Sequence, residues 1–150
     1  MYKHILLPTD GSAQSRKAIK EGVALAKALH ARITGFHAPA SYEVLAYGEY
    51  FPPDLITSAQ WSEQSKQTSE GYLAAIEKEA KAANVPYQGH FIESMSPWQA
   101  IVEAANEEQC DLIFMSSHGR TGISSLLLGS QAAKVLSHSK IPVLVHKTSE

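Results

Sequence analysis

Apolar positions along this chain follow two alternating rhythms. Ile5-Leu6-Leu7 and Leu112-Ile113-Phe114-Met115 are apolar at consecutive positions, which reads as strands covered on both faces, as in a parallel sheet, and Val143-Leu144-Val145 reads as a last strand. After the first run, Pro8-Thr9-Asp10-Gly11-Ser12 breaks the pattern and places Ser12 to cap a helix. Ile19, Gly22, Val23, Ala26 and Leu29 then recur at helical spacing on the face that would meet the sheet. A second strand is expected near 32–38, ending at Pro39. Positions 39–58 are irregular and rich in Tyr42, Tyr47, Tyr50, Pro52 and Pro53. From about Gln60 a long helix presents Trp61, Ser65, Thr68, Tyr72, Ile76, Ala80 and Ala83 on one face, until Asn84 and Pro86 end it.

A weaker strand is expected over 87–92, interrupted by Gly89. Ser96-Pro97-Trp98-Gln99 has the pattern of a helix start: serine at the cap, proline in the first turn, glutamine placed for a capping box. Ile101, Ala104 and Ala105 continue that helix inward, and a last helix runs from Ser130, whose hydroxyl is placed to cap it. The order βαβαβαβαβ predicts one α/β domain over residues 1–150, a doubly wound open parallel sheet with helices on both faces.

Composition narrows the possibilities by exclusion. With 44% hydrophobic and 19% charged residues the chain has the balance of a water-soluble globular protein. A net charge of −2 and the lack of a basic stripe give no electrostatic reason to expect nucleic acid. Cys110 is the only cysteine, which excludes an internal disulfide and a multi-cysteine metal site. No apolar run is long enough for a signal-peptide core or a bilayer span, so no membrane association and a cytoplasmic location are expected. Of the seven histidines, His4, His30, His90, His138 and His146 are scattered, while His37 and His118 fall at strand ends. None has the i, i+4 spacing of a helical metal pair, and no dedicated metal centre is expected.

The chemistry concentrates where the strands end. In an open α/β sheet, ligands bind beyond the carboxyl ends of the strands, at the point where strand order reverses. Those ends carry Pro8-Thr9-Asp10, His37-Ala38, Ser94 and Ser116-Ser117-His118-Gly119. A carboxylate at the end of the first strand suits a ribose hydroxyl pair or Mg²⁺. Backbone amides around Gly119 and at Gly129-Ser130 suit phosphate oxygens. Asp10 equally suits its own Asp-Gly-Ser turn, and Gly119 and Gly122 equally suit a long turn.

The arrangement resembles the universal stress protein family along the whole chain. Ile5-Leu6-Leu7-Pro8-Thr9-Asp10-Gly11-Ser12 is similar to that family's first strand and turn, and Gly129-Ser130-Gln131 through Ile141-Pro142-Val143-Leu144-Val145 to its last helix and strand. The family's ATP-binding branch carries a glycine, two residues, a glycine, nine residues, then glycine and Ser or Thr. Gly119, Gly129 and Ser130 fill the later positions, and Ser116 stands where the first glycine would be.

The resemblance implies strand order 3-2-1-4-5 and an adenine-nucleotide site for ATP, ADP or AMP. It places Asp10 at the ribose and adenine end, Ala38 against adenine through its backbone, and Met115 against the base. Gly119, Arg120, Gly129, Ser130 and Gln131 would surround the phosphates, with nucleotide-linked Mg²⁺ near Asp10, and Pro8, Thr9, Ser116 and His118 would complete the nucleotide-binding set. It further implies a homodimer paired through the edge strand Val143-Leu144-Val145, acting as a stress-response sensor or regulator with an unnamed protein partner. Two alternatives stay open: a nucleotide-free dimer acting through protein contacts, and an ATP-hydrolysing or adenylating enzyme. Gln131 follows Gly129-Ser130, so there is no Walker lysine, and the expectation is at most slow ATP hydrolysis.

Overall fold

Parallel strands apolar at every position need cover on both faces, and this chain supplies it with helices. The computed structural model describes residues 1–46, 56–119 and 128–147. Its elements are β1 (His4–Pro8), α1 (Ala13–Leu29), β2 (Arg32–His37), α2 (Tyr42–Ala46), α3 (Ser58–Ala82), β3 (Tyr87–Phe91), α4 (Pro97–Glu107), β4 (Leu112–Ser116), α5 (Ser130–His138) and β5 (Val143–His146). The five strands form one parallel sheet in the order β3-β2-β1-β4-β5, as expected. β1 is central, so strand order reverses on either side of it, between β2 and β4.

The two-residue period of the strands divides the core. Ile5, Leu7, Ile33, Leu112 and Phe114 pack with Ile19 and Val23 of α1 and Ile76 of α3. Leu6, Phe36, Ile113 and Met115 point the other way, onto Ile101 of α4 and Val135 of α5. Cys110 is buried in this second layer, where burial and the neighbouring Glu108 push its thiol up to about 12. It is therefore a neutral packing group at physiological pH.

The helix boundaries show where local pattern decides and where it does not. Ser12 caps α1 as expected, accepting the Ser15 N–H at 3.1 Å. α3 begins two residues before the expected Gln60, because Thr57 and Gln60 form a reciprocal capping box. Its buried stripe is Ser65, Ser69, Leu73, Ile76 and Ala80; the expected Thr68 is exposed and Tyr72 only half-buried. The expected irregular stretch contains the short helix α2, and Tyr47, Tyr50, Pro52 and Pro53 lie outside the described residues. Gly71 sits on the exposed side of α3 with open space where a Cβ would project. Gly71→Ala should therefore stabilise the protein by about 0.5–1 kcal/mol, through helix propensity alone, read as a higher denaturant midpoint.

A polar cluster around the buried His4 and Thr34 lies toward the amino ends of the strands. His4 is 4% exposed, with Nε2 2.7 Å from Thr34 Oγ1. Gln88 Nε2 donates to the same hydroxyl at 3.0 Å and to Glu108 Oε2 at 2.7 Å. Burial, reinforced by the Arg32 guanidinium, holds the His4 imidazole below its ordinary pKa, against smaller opposing effects of Glu108 and Asp111. The folded state thus prefers neutral His4, while the unfolded chain takes up a proton near the ordinary value of about 6.5. This contribution to stability is complete above that pH and is lost as pH falls below it. Melting temperature should decline between pH 7 and 5, and His4→Gln, which does not titrate, should flatten the decline.

Candidate functional site

The turn after β1 is built by side chains bonding their own backbone. Thr9 Oγ1 accepts the Gly11 N–H at 3.1 Å and the Ser15 hydroxyl at 2.7 Å. Asp10 Oδ1 accepts the Ser12 N–H at 2.9 Å, so the turn-stabilising role open from sequence is realised. The Asp10 carboxylate also lies against the glycine loop, for a Cβ added at Gly119 would collide with Oδ2. The expected juxtaposition of Asp10 with that loop is therefore present, and a side chain at 119 would displace the carboxylate.

The loop after β4 closes on itself. The Ser116 hydroxyl donates to the His118 carbonyl at 2.8 Å, and Ser117 Oγ lies 3.1 Å from His118 Nδ1. Gly129 N–H donates to the Ser117 carbonyl at 2.7 Å, which joins the start of α5 to the end of β4. Two expectations are corrected here. Gly129, not Ser130, is the N-cap of α5, and no side chain caps it; Ser130 is already the first helical residue. The Gly129 amide also has a backbone acceptor, so the amides of α5 without an acceptor inside the helix are those of Ser130, Gln131 and Ala132. No acidic residue occupies that first turn.

These elements enclose a cleft of about 460 Å³, within the range of small-molecule sites. Pro8, Thr9, Asp10, Ala38, Met115, Ser116, His118, Gly119, Gly129, Ser130 and Gln131 all line it. Arg120, the remaining expected site residue, and Gly122 lie outside the described residues. Ser15, Phe36, His37, Pro97, Ile101, Ser117 and Ala132 line the cleft as well. Ser15 and Ser117 carried a sequence signal in their closeness to the strand-end turns. Pro97 and Ile101 carried none, because only the packing of α4 brings them there.

The cleft is chemically divided. Phe36, Ala38, Pro97, Ile101 and Met115 give an apolar wall; Asp10 stands at the turn; the first turn of α5 gives backbone donors and the positive end of a helix dipole. His37 is fixed by a 2.8 Å contact from Nδ1 to Ser69 Oγ and by the edge of the Tyr72 ring, 5.0 Å away between centroids. Among the described residues, no three His, Cys, Asp or Glu side chains converge as metal ligands would, and no helix is long and apolar enough to cross a membrane.

Known proteins are similar to this chain in sequence and in fold. A universal stress protein of Methanocaldococcus jannaschii is 32% identical over 147 residues, covering 98% of this chain and 83% of the relative. The solved structure of hypothetical protein MJ0577 superposes with a TM-score of 0.83 at 27% identity, covering 100% of this chain and 99% of that one. A universal stress protein solved in complex with cAMP gives a TM-score of 0.72 at 26% identity, over 99% and 98% of the two chains. The model of the universal stress protein family matches residues 1–147, and with fold and sequence agreeing from end to end, this chain belongs to the universal stress protein family.

Proposed function

We propose that the cleft binds an adenine nucleotide and that the protein acts as a nucleotide-responsive sensor or regulator. The observation that carries this reading is the convergence in one cleft of an apolar wall, the Asp10 carboxylate and the uncapped first turn of α5. Adenine would lie between Met115, Ile101 and Ala38; Asp10 would accept from ribose hydroxyls; the amides of Ser130, Gln131 and Ala132 would receive phosphate oxygens. The relative crystallised with cAMP supports the same ligand class. ATP, ADP or AMP would fit this division, and the residue set suits Mg²⁺ carried on the nucleotide beside Asp10. Arg120 belongs to the proposal as a phosphate contact.

Catalysis is a lesser part of this reading. The described lining residues include no lysine or arginine to stabilise a transferring phosphoryl group, and we assign at most slow hydrolysis. A homodimer through β5 is part of the proposal: its outer edge has no strand beside it among the described residues, and Leu144 is 39% exposed.

Thermal denaturation with added ligand tests the binding. At about 100 times the dissociation constant, a ligand of the native state adds about 2.7 kcal/mol, equivalent to roughly 5–10 °C for a chain of this size. Shifts of that order are expected with AMP or ATP and none with inorganic phosphate at equal concentration. Multiple-turnover phosphate release should stay below about 1 s⁻¹; a faster rate would make the protein an enzyme.

A further inference from the structure

The helices α4 and α5 begin on two walls of the same cleft, and one side chain joins them. Ser96 holds the cap position of α4 yet makes no side-chain cap bond, contrary to the expected capping box with Gln99. The Ser94 hydroxyl instead engages both the N–H and the carbonyl of Ser96, at 3.0 Å each. Pro97 has no N–H to satisfy. The next donor, the Trp98 N–H, is accepted at 3.0 Å by Oε1 of Gln131, 33 residues further along the chain. The acceptor in this bond is the amide oxygen, which leaves the Gln131 NH₂, a pure donor, as the group available to a ligand.

Trp98 is held from α5 a second time. Its indole lies against the His138 ring, with centroids 4.4 Å apart, two helical turns beyond Gln131 on the same face. His138 Nδ1 in turn lies 2.9 Å from the Lys134 carbonyl, which orients the ring. Pro97 and Ile101, near Trp98 on α4, belong to the apolar wall, and Gln131, in the first turn of α5, lines the same cleft. A serine cap would steady α4 alone. A cap whose acceptor comes from α5 makes the spacing between the two helix starts part of the bond.

We infer that Gln131 is a positioning residue for the nucleotide, fixing the apolar wall on α4 relative to the first turn of α5; this rests on the reading of the cleft proposed above. A ligand that touches both ends gains from a fixed spacing, because only the correctly spaced fraction of molecules binds it well. A ligand that touches one end gains little.

Calorimetric titration of wild type, Gln131→Ala and Gln131→Leu with AMP and with adenosine tests this, alongside hydrogen exchange at the Trp98 amide without ligand. Expected is an AMP affinity reduced about tenfold in both variants, as for a competent fraction lowered to about one tenth. Adenosine should change by less than about twofold, and the Trp98 amide should lose protection. Gln131→Glu, which retains an acceptor, should keep that amide protected, so the tie remains measurable even where one variant folds poorly. If AMP and adenosine weaken in parallel, or the Trp98 amide exchanges as in wild type, the positioning role is overturned. If wild type itself binds no AMP, the reading of the cleft falls first.

Discussion

Replacing Gly129 by valine is expected to reduce adenine-nucleotide affinity more than about 100-fold and to destabilise the protein by about 2–3 kcal/mol. The reason is packing, since φ −66° and ψ 154° at Gly129 are open to any residue. A Cβ at this position would lie 2.8 Å from the Ser117 carbonyl oxygen and 3.3 Å from the His118 Cα. Both obstacles are backbone and cannot turn aside as a side-chain tip could. The Ser117 carbonyl is further held by the Gly129 N–H. Valine adds two methyl groups to that collision, so relief requires α5 to move away from the loop after β4. That movement pulls the amides of residues 130–132 from the position that would serve a phosphate. Gly129→Ala should fall between wild type and valine in both affinity and denaturant midpoint. A valine variant binding AMP within threefold of wild type would show that this junction does not shape the site.

The second large effect is expected at Gly11, whose Gly11→Val variant should lose about 3 kcal/mol of stability. Gly11 has φ +77°, in the left-handed region that costs an L side chain about 1–2 kcal/mol and a β-branched one more. Its Cβ would also fall on the Tyr72 ring, adding an overpacking cost of about 1–3 kcal/mol. The disturbance would reach the cleft by two routes. The Tyr72 ring packs edge-on against His37, and the Asp10–Ser12 hydrogen bond spans residue 11. Nucleotide affinity should therefore fall together with stability. Urea denaturation of Gly11→Val beside Gly71→Ala gives a direct contrast, with midpoints expected to move in opposite directions. Equal midpoints for Gly11→Val and wild type would mean that the turn after β1 adapts to a side chain at this position.

How far the chain could be read from sequence depended on the range of the interactions concerned. Ile5-Leu6-Leu7 and Leu112 to Met115 announced buried parallel strands because each residue contributes to one face or the other whatever its distant partners. The cleft was legible for the same reason, since residues at strand ends are brought to one edge of the sheet by topology alone. The caps were harder. Thr57 and Gln60 carry the same Ser/Thr-x-x-Gln pattern as Ser96 and Gln99, but only the first pair forms the box. What separates them is the tertiary environment: Ser94 and Gln131 meet the backbone at the start of α4, and that proximity has no local signature. On α3 the expected Ser65, Ile76 and Ala80 are buried, while Ser69, whose polarity hides a core position, and Leu73 are buried where Thr68 and Tyr72 were expected. The Asp111 carboxylate, accepting the N–H groups of Lys3 at 2.8 Å and His4 at 3.0 Å, fixes the start of β1 by a contact spanning more than 100 residues of chain. Ser116 stands where the family's ATP-binding pattern has glycine, and its bond to the His118 carbonyl shows how the loop accommodates a hydroxyl.

The central claim is that the cleft between Asp10 and the first turn of α5 binds an adenine nucleotide. Isothermal titration calorimetry of the protein, stripped of any ligand by unfolding and refolding, measures this directly when AMP, ATP and cAMP are titrated into wild type and Gly129→Val. The account predicts saturable binding of at least one of the three at one nucleotide per chain, abolished by the valine. Absence of binding heat for all three at millimolar concentration, at two temperatures, would contradict it.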